Sequence, residues 1–81
     1  MFEEVRSIVG TVLQLGDRTA SLQPETLLLG NFPELDSIAV VSVITALEEY
    51  YGFVIDDDEI TADTFATMGS LAAFVEQKLS S

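Results

Sequence analysis

Cysteine and histidine are both absent from the 81 residues. Without cysteine there is no disulfide framework and no thiolate metal site, and a reducing, cytoplasmic setting suits the chain. Without histidine the chain lacks the usual general base and the commonest metal ligand, so nucleophilic triads cannot be assembled. Independent catalysis is not expected. Basic residues are scarce as well: Arg6, Arg18 and Lys78 face fourteen acidic residues, for a net charge of −11. Such a chain is repelled by nucleic acid and by anionic membrane surfaces, and attracted to basic protein surfaces. No apolar run approaches membrane-spanning length, so stable membrane insertion is not expected. Met1-Phe2-Glu3-Glu4 lacks a positive segment followed by an apolar run, so no signal peptide is expected.

What is present suits one small domain over residues 1–81, with 48% hydrophobic residues, enough for a core. Phe2, Val5, Val9 and Val12, widened by Ile8 and Leu13, recur at helical spacing and predict a first helix from Phe2 to Leu15. Gly16 is its expected stop. Residues 17–35 hold Pro24, Gly30 and Pro33, which oppose a continuous helix. They also hold Leu22, Leu27, Leu28, Leu29, Phe32 and Leu35. A connection this apolar is pinned to a core, with a helical turn expected near Glu25–Leu29.

A second helix is predicted from Ser37 to Tyr51. Ile38, Val41, Ile44, Leu47 and Tyr51 form its expected inward stripe, and Val40, Val43 and Tyr50 add a second apolar flank. Gly52 ends it. The carboxylates of Asp56-Asp57-Asp58-Glu59 open a short helix from about Asp57 to Phe65. They lack the alternating spacing and glycine of a calcium loop, so a cation sensor is a remote reading and no metal site is assigned. Thr67 is the expected N-cap of a last helix, Met68 to Leu79, whose stripe is Leu71, Phe74, Val75 and Leu79. The expected fold is all-α: three long helices, one short, and a long ordered loop between the first two.

Asp36-Ser37-Ile38 opens the second helix. A hydroxyl there lies beside unpaired N–H groups and the positive end of the helix dipole, which favour a phosphate. On local physics alone, a capping serine is the favoured reading.

The chain resembles the acyl carrier protein family. The resemblance runs through Asp36-Ser37-Ile38, Ala46-Leu47-Glu48-Glu49, Val54-Ile55-Asp56-Asp57 and Phe65-Ala66-Thr67-Met68-Gly69-Ser70-Leu71. It implies a four-helix carrier bundle in which a separate phosphopantetheinyl transferase attaches 4′-phosphopantetheine from coenzyme A to Ser37. The arm's thiol would hold acyl or aminoacyl groups as thioesters, and the carrier would catalyse nothing. Asp36 is the motif neighbour, expected to cap the helix. The second helix would be the docking surface, with Leu35, Ile38, Val40, Val41, Glu48 and Glu49 as partner-recognition residues. The implied partners are acyl-loading ligases or synthases and acyltransferases with basic docking faces, visited by a monomeric carrier. Val41, Ile44, Leu47, Ile60, Ala66 and Leu71 would line any interior shelter for cargo.

Departures from the family pattern bear on the pathway. Ala39, Val40 and Ser42 stand where fatty-acid carriers often hold acids or threonine, and Glu34 replaces a usual glycine. They point away from general fatty acid synthesis and toward a specialised lipid, polyketide, peptide or cell-envelope pathway. The alternative is an unmodified helical interaction module, with Val40, Val43 and Tyr50 as its contact patch.

Overall fold

The computed structural model describes residues 2–28, 30 and 35–80, with Asp57 through its backbone alone. Leu29, Phe32, Pro33 and Glu34 lie outside the described residues. Among the described residues three α-helices carry the fold: α1 (Phe2–Val12), α2 (Ser37–Tyr51) and α3 (Met68–Ser80). Two 3-10 segments accompany them, Gly16–Ser21 and Asp57–Glu59. The fold is all-α, and among the described residues the only β feature is an isolated antiparallel bridge between Leu27 and Thr67.

Helix α1 stops earlier than Leu15. Gln14 takes the left-handed conformation (φ 55°). Its N–H then bonds to the Thr11 carbonyl at 3.2 Å, and the Leu15 N–H bonds to the Gly10 carbonyl at 2.9 Å. This pair of bonds is a Schellman ending with glutamine in the place that usually takes glycine. Gly16 follows as the start of the first 3-10 segment, an element the residue pattern did not predict. That segment lies across Gly10, whose missing side chain makes room for Thr19.

The core joins Val5, Val9, Leu13 and Leu15 from the α1 region to Val43 and Leu47 of α2 and to Met68, Leu71, Ala72 and Val75 of α3. Leu22, Leu28 and Leu35 of the long connection are buried in the same cluster, which pins the crossover as expected. The helical turn expected near Glu25–Leu29 is replaced by a tighter turn, closed by Thr26 N–H to the Gln23 carbonyl at 3.0 Å. Beyond it the chain extends and pairs with the start of α3. Leu28 N–H bonds to Ala66 O (2.9 Å), Met68 N–H to Thr26 O (3.0 Å) and Gly69 N–H to Pro24 O (2.8 Å).

The helix expected over Asp57–Phe65 contracts to the 3-10 turn Asp57–Glu59. Glu59 folds back so that its carboxylate accepts the Asp56 N–H at 2.9 Å, and Lys78 of α3 donates to both its oxygens at 2.9 and 3.0 Å. The backbone N–H bond and then Lys78 hold the Glu59 carboxyl below the usual carboxylate range. Thr67 caps α3 as expected: its hydroxyl accepts the Ser70 N–H at 3.0 Å, and Ser70 Oγ accepts the Thr67 N–H at the same distance. The α3 stripe is displaced, with Met68 and Ala72 buried while Phe74 is half-buried and Leu79 is exposed.

Candidate functional site

Helix α2 begins at Ser37, and Asp36 is its N-cap. The Asp36 backbone is extended (φ −98°, ψ −174°), and its Oδ1 accepts the Ala39 N–H at 2.8 Å. Capping is therefore performed by the aspartate, and the serine occupies the first helical position. Ser37 is exposed, and among the described residues its hydroxyl makes no hydrogen bond. No acidic side chain stands in the first turn of α2, so beyond Asp36 the turn adds no carboxylate against a phosphate there. The capping serine of the simpler sequence reading is thereby replaced by a serine with a spare hydroxyl.

The far end of α2 closes on Gly52, in the left-handed conformation (φ 75°), whose N–H bonds to the Glu48 carbonyl at 2.8 Å. Three aromatic rings gather there. Tyr50 and Tyr51 meet edge-on at 4.8 Å, and Tyr51 stacks on Phe53 at 5.7 Å. Both tyrosine hydroxyls donate to Glu4 of α1, at 3.5 and 3.3 Å. Burial first, then the Glu4 carboxylate, pushes the Tyr51 phenol up to about 12.

The face that α2 turns inward differs from the expected one. Ile38 and Val41 were placed on the inward stripe; they are 76% and 61% exposed. Val43 and Leu47 are fully buried, with Ala39, Val40 and Ile44 half-buried against them. This rotation removes Val41 from any interior lining, while Leu47 and Leu71 are core and Ile44 and Ile60 pack against it. It also removes the contact patch proposed for an unmodified module, because Val43 is enclosed.

Of the residues assigned to partner recognition, Ile38, Val41 and Glu49 are exposed. Val40 is half-buried, and Leu35 is buried in the core and cannot present a surface. Glu48 is half-buried and its Oε2 accepts the Ile55 N–H at 2.7 Å. Sequence reasoning grouped Glu48 with Glu49, yet neighbouring helical residues point about 100° apart. That rotation is the signal that could have separated them. Among the described residues no three histidine, cysteine, aspartate or glutamate side chains are placed to hold a metal ion, and no helix is long and apolar enough to cross a membrane.

On an acidic all-α fold, an exposed hydroxyl on the first residue of a helix capped by its neighbour leaves Ser37 open to covalent modification. The family model described as "phosphopantetheine attachment site" matches residues 3–75 of the chain. The solution NMR structure of a holo acyl carrier protein from Nitrosomonas europaea is 64% identical, superimposes with a TM-score of 0.91, and is matched over 99% of this chain and 96% of that one. The chain belongs to the acyl carrier protein family. It is a carrier and not a catalyst, its prosthetic group is 4′-phosphopantetheine, and its partners are phosphopantetheinyl transferases and acyl-handling enzymes.

Proposed function

We propose that Ser37 is the attachment point of the 4′-phosphopantetheine arm, and that the arm carries acyl or aminoacyl thioesters between enzymes of a specialised lipid, polyketide, peptide or cell-envelope pathway in the cytoplasm. The observation that carries the assignment is the exposed Ser37 at the first position of α2 with its capping duty taken by Asp36. The hydroxyl can be esterified without breaking a hydrogen bond that holds the helix start. A phosphodiester formed there faces the unpaired N–H groups and positive dipole end of α2, which stabilise its charge. Asp36 directs Oδ1 into the helix, so its charge is partly spent on the Ala39 N–H. When bound, the arm supplies the thiol that this cysteine-free chain lacks.

Docking of the enzymes that load and unload the arm is assigned to Ile38 and Val41, the exposed apolar pair one turn apart beside Ser37. Glu49 adds charge farther along the helix, and the net charge of −11 steers basic partner faces toward it. An apolar rather than acidic start to the docking face supports a dedicated pathway, since Ala39, Val40 and Ser42 offer no charge for recognition.

Incubation with coenzyme A and a broad-specificity transferase tests the attachment. Intact-mass measurement is expected to show the gain of one arm in the wild type and none in Ser37→Ala. A Ser37→Ala chain that still gains the arm, or a wild type left bare by several transferases, overturns the assignment.

A further inference from the structure

A thioester yields readily to two side-chain nucleophiles, the thiolate of cysteine and the neutral amine of lysine. This chain has no cysteine, and no histidine that could activate a hydroxyl for the same attack. Its lysine content is a single residue, Lys78, in the last turn of α3. One side-chain amine therefore carries nearly all the reactivity of this sequence toward acyl thioesters.

That amine is tied down. Lys78 Nζ donates to both carboxylate oxygens of Glu59, at 2.9 and 3.0 Å. The side chains are 20% exposed for Lys78 and 31% for Glu59, so the pair is partly withdrawn from water. Glu59 is itself anchored, because its Oε2 also accepts the Asp56 N–H at 2.9 Å. A carboxylate already fixed by the backbone loses little further freedom when the ammonium meets it.

Access is not what shields Lys78. Glu59 and Lys78 border a half-open cavity of about 430 Å³ together with Thr64, Phe74 and Gln77. Half-buried Phe74 gives it an apolar side, and its size is ample for a small acyl group. A thioester can reach this lysine, and the ion pair is what stands against reaction.

We propose that Lys78 is an acylation site for small free acyl thioesters, such as those of coenzyme A, and that Glu59 holds it in check. To react, Nζ must leave both Glu59 oxygens, give one proton to water and turn its lone pair to the thioester carbonyl carbon. The C–N bond forms, the C–S bond breaks, and the departing thiolate takes a second proton from the nitrogen. The product is a neutral amide, which can no longer form the ion pair with Glu59. The turn Asp57–Glu59 thereby loses its charged tie to α3. The proposal rests on the carrier reading for the supply of thioesters around the chain, whereas the chemistry at Lys78 needs no arm.

The test uses the full Ser37→Ala chain, so that no arm takes part, incubated with acetyl-coenzyme A in mildly alkaline buffer. An unstructured peptide with one lysine shares the tube as reference, and acetylation at Lys78 is read by peptide mass spectrometry. Lys78 is expected to react roughly fivefold more slowly than the reference, the size of effect that a partly exposed ion pair supports. Glu59→Gln keeps an acceptor for the Asp56 N–H and is expected to bring Lys78 to within about twofold of the reference. Gln77→Ala, at the same cavity but outside the pair, is expected to leave the rate unchanged. A measurement free of any change at Glu59 is the salt dependence: sodium chloride screens the pair and is expected to narrow the gap to the reference while the chain stays folded by circular dichroism. Lys78 reacting as fast as the reference at low salt overturns the proposal, as does protection that persists in both Glu59→Gln and high salt. Ser37 plays no part in this assay, so its failure and the failure of arm attachment are separate results.

Discussion

The Glu48 carboxylate and the backbone N–H of Ile55 are joined by a 2.7 Å hydrogen bond that spans the turn at the end of α2. Ile55 is buried, and its neighbour Val54 is 73% exposed, so the bond fixes which of the two enters the fold. A carboxylate that resembles a docking acid is here a strut for the chain that follows the helix.

Replacing Glu48 by glutamine retains an acceptor and is expected to change stability by less than about 0.5 kcal/mol. Glu48→Ala leaves the Ile55 N–H without its partner and is expected to cost about 1–2 kcal/mol. Urea unfolding measures the difference, and amide exchange at Ile55 should accelerate in the alanine variant alone.

The division of roles at the start of α2 predicts opposite outcomes for adjacent residues. Asp36→Ala removes the N-cap bond to Ala39 and is expected to cost about 1 kcal/mol, with Asp36→Asn recovering most of it. Ser37→Ala removes no bond within the described residues and is expected to stay within about 0.5 kcal/mol of the wild type. Thermal unfolding of the three variants decides it.

Tyr51 predicts an alkaline limit to stability. Burial, and next the Glu4 carboxylate, raise its phenol from 10.0 to about 12. The folded chain thus keeps this proton more tightly than the unfolded chain does. Its contribution is complete below about pH 10 and is lost as pH rises from 10 toward 12. Phenolate absorbance should show a late step near pH 12 that disappears in Tyr51→Phe and moves to lower pH in Glu4→Gln.

Gly10 sets helix propensity against packing. Alanine in a helix interior is favoured over glycine by roughly 1 kcal/mol. A Cβ on Gly10 would stand only 2.8 Å from Thr19 Cβ and still closer to the rest of that side chain. Overpacking of this kind costs about 1–3 kcal/mol, so the clash wins and Gly10→Ala is expected to destabilise. Adding Thr19→Gly should restore part of the loss in denaturant melts.

The helices were legible wherever a local device marks their ends. Asp36, Gly52 and Thr67 each perform in the structure the capping or stopping role that their residue types suggest. The inward face of α2 was not legible, because Ile38, Val40, Val41, Val43, Ile44 and Leu47 surround the helix on several sides. Periodicity discriminates only when a polar face opposes an apolar one, and here packing against α1 and the shared core chose Val43 and Leu47. The end of α1 was misread for a different reason: Gln14 accepted the left-handed conformation that glycine usually takes. Acids at 56–59 suggested a helix start, but the side chain of Glu59 turned back onto the Asp56 N–H and closed a single tight turn. Ser37 stood out by its place after Asp36, and what the residues alone left open was which of the two supplied the cap.

The hydrogen bonds from Leu28 to Ala66, Met68 to Thr26 and Gly69 to Pro24 have a consequence for how the chain opens. They fasten the crossover to the last helix, far away in sequence, rather than to the helix that comes next. Gly69 permits this seam, since any side chain there would press on the Pro24 carbonyl. The residues that open α3 are thus the clasp of Pro24, Thr26 and Leu28: a side chain placed on Gly69 would loosen that stretch of the crossover before it disturbed α2 itself.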